Sequence, residues 1–159
     1  MTLYDTDFLS WTEEQAAKLR ALAENRANLD LDLANLAEEV SSMGRSDVHA
    51  AAIALTLILE HLLKLQHSPA RERRLDWAKT VREQRRTLRR RFRDSPSLKA
   101  ELDIHEAYAD ARIDAIEALA GYGEADAAAS VPGVCPYGLD QALDEQWWPG
   151  GTEGPLSRT

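Results

Sequence analysis

Apolar positions recur at helical spacing from residue 5 to residue 121, and no run alternates apolar and polar residues as a half-buried strand does. The pattern predicts five helices. The first runs from about Asp7 to about Asn25, with Phe8, Trp11, Leu19 and Leu22 near one face and Asp5, Thr6 and Asp7 as candidate N-caps. The second, about Leu31 to Met43, sets Leu29, Leu33, Leu36, Val40 and Met43 in a stripe and stops at Gly44, a residue suited to a left-handed C′ position. Ser46 then caps a third helix that reaches about Gln66. Between Ala50 and Leu59 its only polar residue is Thr56, so it is expected to be the central element, with Ile53, Leu55, Leu57, Leu59 and Leu62 buried together. Ser68-Pro69 ends it, because the residue before proline disfavours helix.

The fourth helix, from Glu72 or Arg74 to Arg93, gathers Trp77, Val81, Leu88 and Phe92 in a narrow arc. Ser95-Pro96-Ser97 is a start signal for the fifth, which runs to about Ala120 with Leu98, Leu102, Ala109, Ile113 and Ile116 inward. After Gly121 and Gly123 the chain turns rich in Ala, Gly and Pro, with one short helix at about Leu139 to Asp144. The expected fold is therefore all-α: an up-and-down bundle of four to five helices over residues 1–149, with a C-terminal tail carrying one short helix. Residues 150–159 have no core-forming pattern and are expected to be flexible.

A length of 159 residues, 44% hydrophobic and 29% charged, is that of one globular domain with enough core to do without disulfides or a structural metal. The single cysteine, Cys135, excludes a disulfide framework and a cysteine-rich zinc module. Met1-Thr2-Leu3-Tyr4-Asp5 lacks the basic-then-apolar run of a secretory signal, and no apolar run is read as reaching the ~18 residues of a membrane span. A cytoplasmic protein without membrane attachment is expected.

Charge changes the picture more than composition does. The net charge is −8, yet residues 71–93 hold ten arginines and Lys79 against Glu72, Asp76 and Glu83. Arg82, Arg85, Arg86, Arg89, Arg90 and Arg93 follow the i, i+3, i+4, i+7, i+8, i+11 spacing of one helical stripe. Arginine forks suit phosphates, which makes the stripe a candidate anion site. The favoured alternative is an ion-paired face, since the fifth helix offers Asp103, Glu106, Asp110, Asp114 and Glu117. A tight connection at Asp94 to Ser97 would pair Arg89 with Asp103, Arg86 with Glu106 and Arg82 with Asp110. The overall negative charge and the lack of interleaved aromatics also disfavour nucleic acid.

No histidine among His49, His61, His67 and His105 has the Glu-x-x-His or His-Glu-x-x-His spacing of a metal site, so neither a metal nor a cofactor is expected. Glu38 and Glu39 flank the buried positions of the second helix, and Glu60-His61 ends the buried third. A buried glutamate facing His61 would be a perturbed acid–base pair, which makes Glu38, Glu39, Glu60 and His61 a candidate pocket. Cys135 has no base or cationic neighbour in sequence and is expected to be packed. Trp147-Trp148 is expected to anchor the tail. Gly-x-Ser-x-Gly, Walker A and Gly-x-Gly-x-x-Gly are all absent.

Tyr4-Asp5-Thr6-Asp7-Phe8 with Trp11, then Leu29-Asp30-Leu31-Asp32-Leu33-Ala34-Asn35-Leu36-Ala37-Glu38-Glu39-Val40, carry a resemblance. It continues through Met43-Gly44-Arg45-Ser46, His61-Leu62-Leu63-Lys64, Val81-Arg82-Glu83-Gln84-Arg85, Ser95-Pro96-Ser97-Leu98 and Cys135-Pro136-Tyr137. Over residues 4 to about 149 the chain resembles the bacterial domain-of-unknown-function family twenty-nine, common in cyanobacteria and proteobacteria. The resemblance implies an all-α cytoplasmic fold and no established activity, catalytic residue or cofactor. The expected function is a non-enzymatic interaction protein, either a homo-oligomer or the partner of another protein. The alternatives are a nucleic-acid-associated or toxin-neutralising regulator using the arginine stripe, and an enzyme or small-ligand binder at the glutamate–histidine pocket.

Overall fold

In the computed structural model, which describes residues 1–25 and 28–150, every regular element is helical. The described residues form α1 (Leu3–Thr6), α2 (Phe8–Glu24), α3 (Leu33–His67), α4 (Arg74–Asp94), a 3₁₀ helix (Pro96–Glu101), α5 (Ile104–Gly121), α6 (Ala125–Ser130) and α7 (Leu139–Leu143). The four to five helices expected from periodicity thus undercount the short ones. Periodicity cannot register an element of four to six residues, because that is barely more than one turn.

Contacts divide the chain into two units, residues 1–51 with 90–102 and residues 52–89 with 103 onward, and α3 and α4 contribute to both. In the first unit, Asp7 caps α2 by accepting the Ser10 N–H at 3.1 Å. Asp32 accepts from the Asn35 N–H at 3.2 Å, where α3 begins. The helix break expected at Gly44, with Ser46 as a new cap, does not occur: α3 is continuous over 35 residues. Gly44 is buried against α2, where a Cβ would lie 2.5 Å from Thr12 Oγ1 and 3.1 Å from Leu9 Cδ1. The glycine lets two helices approach; it does not reverse the chain. Thr12 is fixed there because its hydroxyl donates to the Leu9 carbonyl at 2.7 Å.

Fusing the two expected helices has a second consequence. Contrary to the sequence reading, α3 is long and apolar enough to cross a membrane, although half of that apolar window is buried within the protein. Its buried stripe also differs from the expected one. Leu33, Ala37, Ala51, Ala54, Leu55, Ile58, Leu59, Leu62, Leu63 and Leu65 are buried, while Leu36, Met43 and Ile53 are about half exposed. A run that is apolar all round still has only one packed face here.

In the second unit, Trp77, Val81 and Leu88 of α4 are buried, as the narrow arc predicts, and so is Ala78; Phe92, the arc's last member, is half-buried and falls in the first unit. The fifth helix begins later than expected. Ser95-Pro96-Ser97 opens the 3₁₀ helix, and Asp103 caps α5 by accepting from the N–H groups of His105 and Glu106 at 2.8 and 3.3 Å. The inward face of α5 is Ala107, Tyr108, Ala111, Ala115 and Leu119, so Ile113 and Ala109 point to solvent. Gly150 is exposed; the expected flexible segment otherwise lies outside the described residues.

Candidate functional site

The arginine stripe of α4 is the largest concentration of charge, and the structure disperses it. Arg85 is 2% exposed. Its Nε donates to the Ala142 carbonyl at 2.8 Å, Nη1 to Trp147 O at 3.0 Å and Nη2 to Gln141 O at 3.4 Å. Gln141 and Ala142 lie in the last turn of α7, where the Gln141 carbonyl also accepts the Asp144 N–H at 3.3 Å, and the guanidinium adds a charged cap to that helix end. Burial lowers the Arg85 pKa to about 10 against the pull of Asp144 and Glu145, and the group stays charged at neutral pH.

Neighbouring arginines hold the same C-terminal strap. Trp148 is buried, with the guanidinium of Arg82 at 5.1 Å from its ring and that of Arg85 at 4.9 Å, two cation–π contacts midway along α4. Arg89 Nη1 reaches Glu145 at 2.5 Å. Tyr137 packs edge-on to Trp147 and donates its hydroxyl to Gln66 at 2.5 Å, and burial raises its pKa. Trp147-Trp148 therefore anchors the chain end, as expected. Cys135 is half-buried with its thiol toward the Tyr137 carbonyl at 3.3 Å, and burial raises its pKa.

The remaining stripe residues have other fates. Arg91, next to the stripe, pairs with Asp47 at 3.1 Å, and Arg93 lies 3.7 Å from Asp94. Arg86 and Arg90 are exposed and make no ion pair among the described residues. None of the expected pairs Arg89–Asp103, Arg86–Glu106 and Arg82–Asp110 forms. The register that predicted them assumed a tight turn, whereas the 3₁₀ helix Pro96–Glu101 separates α4 from α5 and Asp103 is spent as a cap. Glu106, Asp110, Asp114 and Glu117 are exposed on α5 with no ion pair among the described residues.

The four residues of the candidate pocket do not come together. Glu38 and Glu39 are exposed, and Glu38 pairs with Arg45 at 2.5 Å and Arg20 at 3.9 Å in the first unit. Glu60 and His61 belong to the second unit, 22 residues further along the sequence of the same helix. Glu60 does find a buried partner, but it is Lys64, one turn on: Lys64 Nζ donates to Glu60 Oε1 at 2.7 Å. His61 Nδ1 sits 2.9 Å from the Leu57 carbonyl, which assigns the proton to Nδ1 and turns the Nε2 lone pair toward Lys64 at 3.4 Å. Burial, then the Lys64 charge, holds the His61 pKa below its usual value, against Glu60 and the Leu57 bond. Lys64 also faces the Trp77 ring at 5.6 Å.

Sequence reading missed Lys64 and Arg74, both buried; Arg74 donates to the Leu65 carbonyl at 2.7 Å. The only trace of the first was Glu60 at i, i+4 spacing before it.

These features define an all-α protein whose largest charge cluster clamps its own C-terminal strap and whose remaining charge stands on open helix faces. The chain belongs to the family described as domain of unknown function DUF29, whose model matches residues 3–148. It is similar to an α-helical protein of unknown function from Rhodospirillum rubrum seen by crystallography. The two are 29% identical, cover 92% of each other and superpose with a TM-score of 0.81. No curated protein matches the chain.

Proposed function

We propose that this is a non-enzymatic interaction protein of the cytoplasm, which binds another protein chain through the open charged faces of α4 and α5. The observation that carries this reading is the failure of those faces to neutralise one another. Arg86 on α4 and Asp110, Asp114 and Glu117 on α5 are exposed without an ion pair among the described residues. Charges left open in both signs suit partner selection and encounter more than folding stability. In the Glu60–His61–Lys64 cluster the side chains are held by one another and by the Leu57 carbonyl, which favours a structural role.

The test is purification of the protein from its host, beside an Asp110→Lys/Asp114→Lys variant. A protein that co-purifies in stoichiometric amount with the natural chain and is absent with the variant supports the reading. Nucleic acid eluting in its place, lost on Arg86→Ala, would transfer support to the regulator reading, which the open Arg86 and Arg90 favour. Against that reading stand the net charge of −8 and the capture of Arg85 and Arg89 by the strap.

A further inference from the structure

Resting on the interaction reading, we propose that the partner at this surface is a second copy of the chain. The line Lys79–Arg82–Arg86 of α4 in one copy lies antiparallel against the line Glu117–Asp114–Asp110 of α5 in the other. The first line advances by three and then four residues, and the second descends by three and then four. Two antiparallel helices therefore bring Lys79 to Glu117, Arg82 to Asp114 and Arg86 to Asp110 at once, over about 10 Å of helix axis.

The groups are open for this. Arg86 and the three α5 carboxylates are exposed without an ion pair among the described residues. Arg82 is exposed, lies 5.1 Å from the Trp148 ring and makes no ion pair among the described residues, so its N–H groups are open to a carboxylate. Among the described residues Lys79 is held only by a 3.9 Å contact to Glu83, the acid beside this line. Ile113, 61% exposed between Asp110, Asp114 and Glu117, supplies an apolar contact for the arginine stems opposite.

A second copy is favoured over a polyanion on one ground: it uses both lines. Nucleic acid would occupy only the basic line and would be repelled by the acidic one and by the net charge of −8. Such a contact, built from exposed ion pairs, is weak and salt-dependent.

Sedimentation and light scattering of the full chain test this. Self-association is expected at about 50 mM salt and should weaken about tenfold by about 500 mM. The variants Lys79→Glu/Arg86→Glu and Asp110→Lys/Glu117→Lys, each checked for helical content by circular dichroism, should each be monomeric alone and associate when mixed. Restoration on mixing is the result that no folding defect imitates. A natural chain that is monomeric at every salt and concentration, or association that the reversals leave unchanged, overturns the self-pairing. In that case the interaction reading still answers separately to the host purification. Binding of a DNA duplex of about 20 bp, lost in Lys79→Glu/Arg86→Glu, would overturn both.

Discussion

The two units close their interiors with opposite chemistry. The unit of residues 1–51 and 90–102 uses small, neutral or anionic groups. Gly44 brings α3 onto Thr12, Ser95 Oγ accepts the Leu9 N–H at 3.2 Å, and Ser97 donates to Asp7 from its N–H and its hydroxyl at 2.9 and 2.8 Å. Burial works against the Asp7 carboxylate, but these bonds and those from Ser10 hold its pKa below the usual value. The unit of residues 52–89 and 103 onward instead closes around cations: Lys64, Arg74 and Arg85 are all buried. Both arginines reach the final turn of a helix, Arg74 at Leu65 of α3 and Arg85 at Gln141 and Ala142 of α7. A helix C-terminus presents unpaired carbonyls and partial negative charge, so it can hold a buried guanidinium without a carboxylate beside it.

If this comparison holds, the largest effect comes from Arg85→Ala. It strips carbonyl oxygens of a charged donor and removes one of the two cation–π contacts to Trp148. A loss of about 3 kcal/mol or more is expected, a fall of roughly 6–12 °C in Tm for a chain of this size. Arg85→Lys should recover less than half, because one ammonium cannot follow the fork of three carbonyls. Unchanged thermal unfolding in Arg85→Ala would remove the cation-centred account of this unit.

Gly44→Ala tests the other unit. The new methyl meets Thr12 Oγ1 at 2.5 Å, and over-packing costs about 1–3 kcal/mol. Helix propensity returns about 1 kcal/mol, leaving a net loss of about 0–2 kcal/mol. Thr12→Ala removes the obstructing hydroxyl, so the double variant should be more stable than the sum of the two singles predicts. Urea midpoints of the four proteins check this. Additivity would mean that Gly44 is not there for close approach.

A pH dependence near neutrality comes from the second unit, whereas the lowered Asp7 carboxylate of the first acts only in the acid range. His61 titrates below its ordinary value in the folded chain, so between that lowered value and about 6.5 the unfolded chain binds more protons. Stability from this group is complete above about pH 6.5 and declines as pH falls toward the folded value. The drop in urea midpoint from pH 7.5 to 5.5 should shrink in His61→Gln. An equal drop in both proteins would assign the dependence to other groups.

How much of this was legible in the sequence depends on what carries a letter. Burial of a helix face leaves a periodic trace, which is why the long helices were found from Phe8, Trp77 or Leu88. Gly44 misled because a glycine for chain reversal and one for close approach look alike, and Thr12, which decides between them, lies 32 residues away. Ile53 and Ile113 misled because apolar character permits burial without compelling it. The arginine stripe was visible as a stripe, but its acceptors were not. Backbone carbonyls occur at every residue, so nothing in the sequence marks those of Gln141, Ala142 and Trp147 as the ones a guanidinium will use. The pairing of Glu38 or Glu39 with His61 failed for a similar reason: shared proximity to a core stripe says nothing about distance along a helix of 35 residues.

Arg86→Ala should give the smallest effect, and beside Arg85→Ala it is the sharpest comparison available. The two arginines are adjacent on α4, have the same side chain and were assigned to the same stripe. One is sealed against the strap; the other stands in solvent with no ion pair among the described residues. Removing an exposed, unpaired charge should alter stability by less than about 0.5 kcal/mol, and relieving repulsion from neighbouring cations can make the change favourable. Thermal unfolding of the two variants at matched salt should therefore separate by several degrees. A loss in Arg86→Ala approaching that in Arg85→Ala would mean that Arg86 carries a structural contact, and the α4 face would no longer be free to bind a partner.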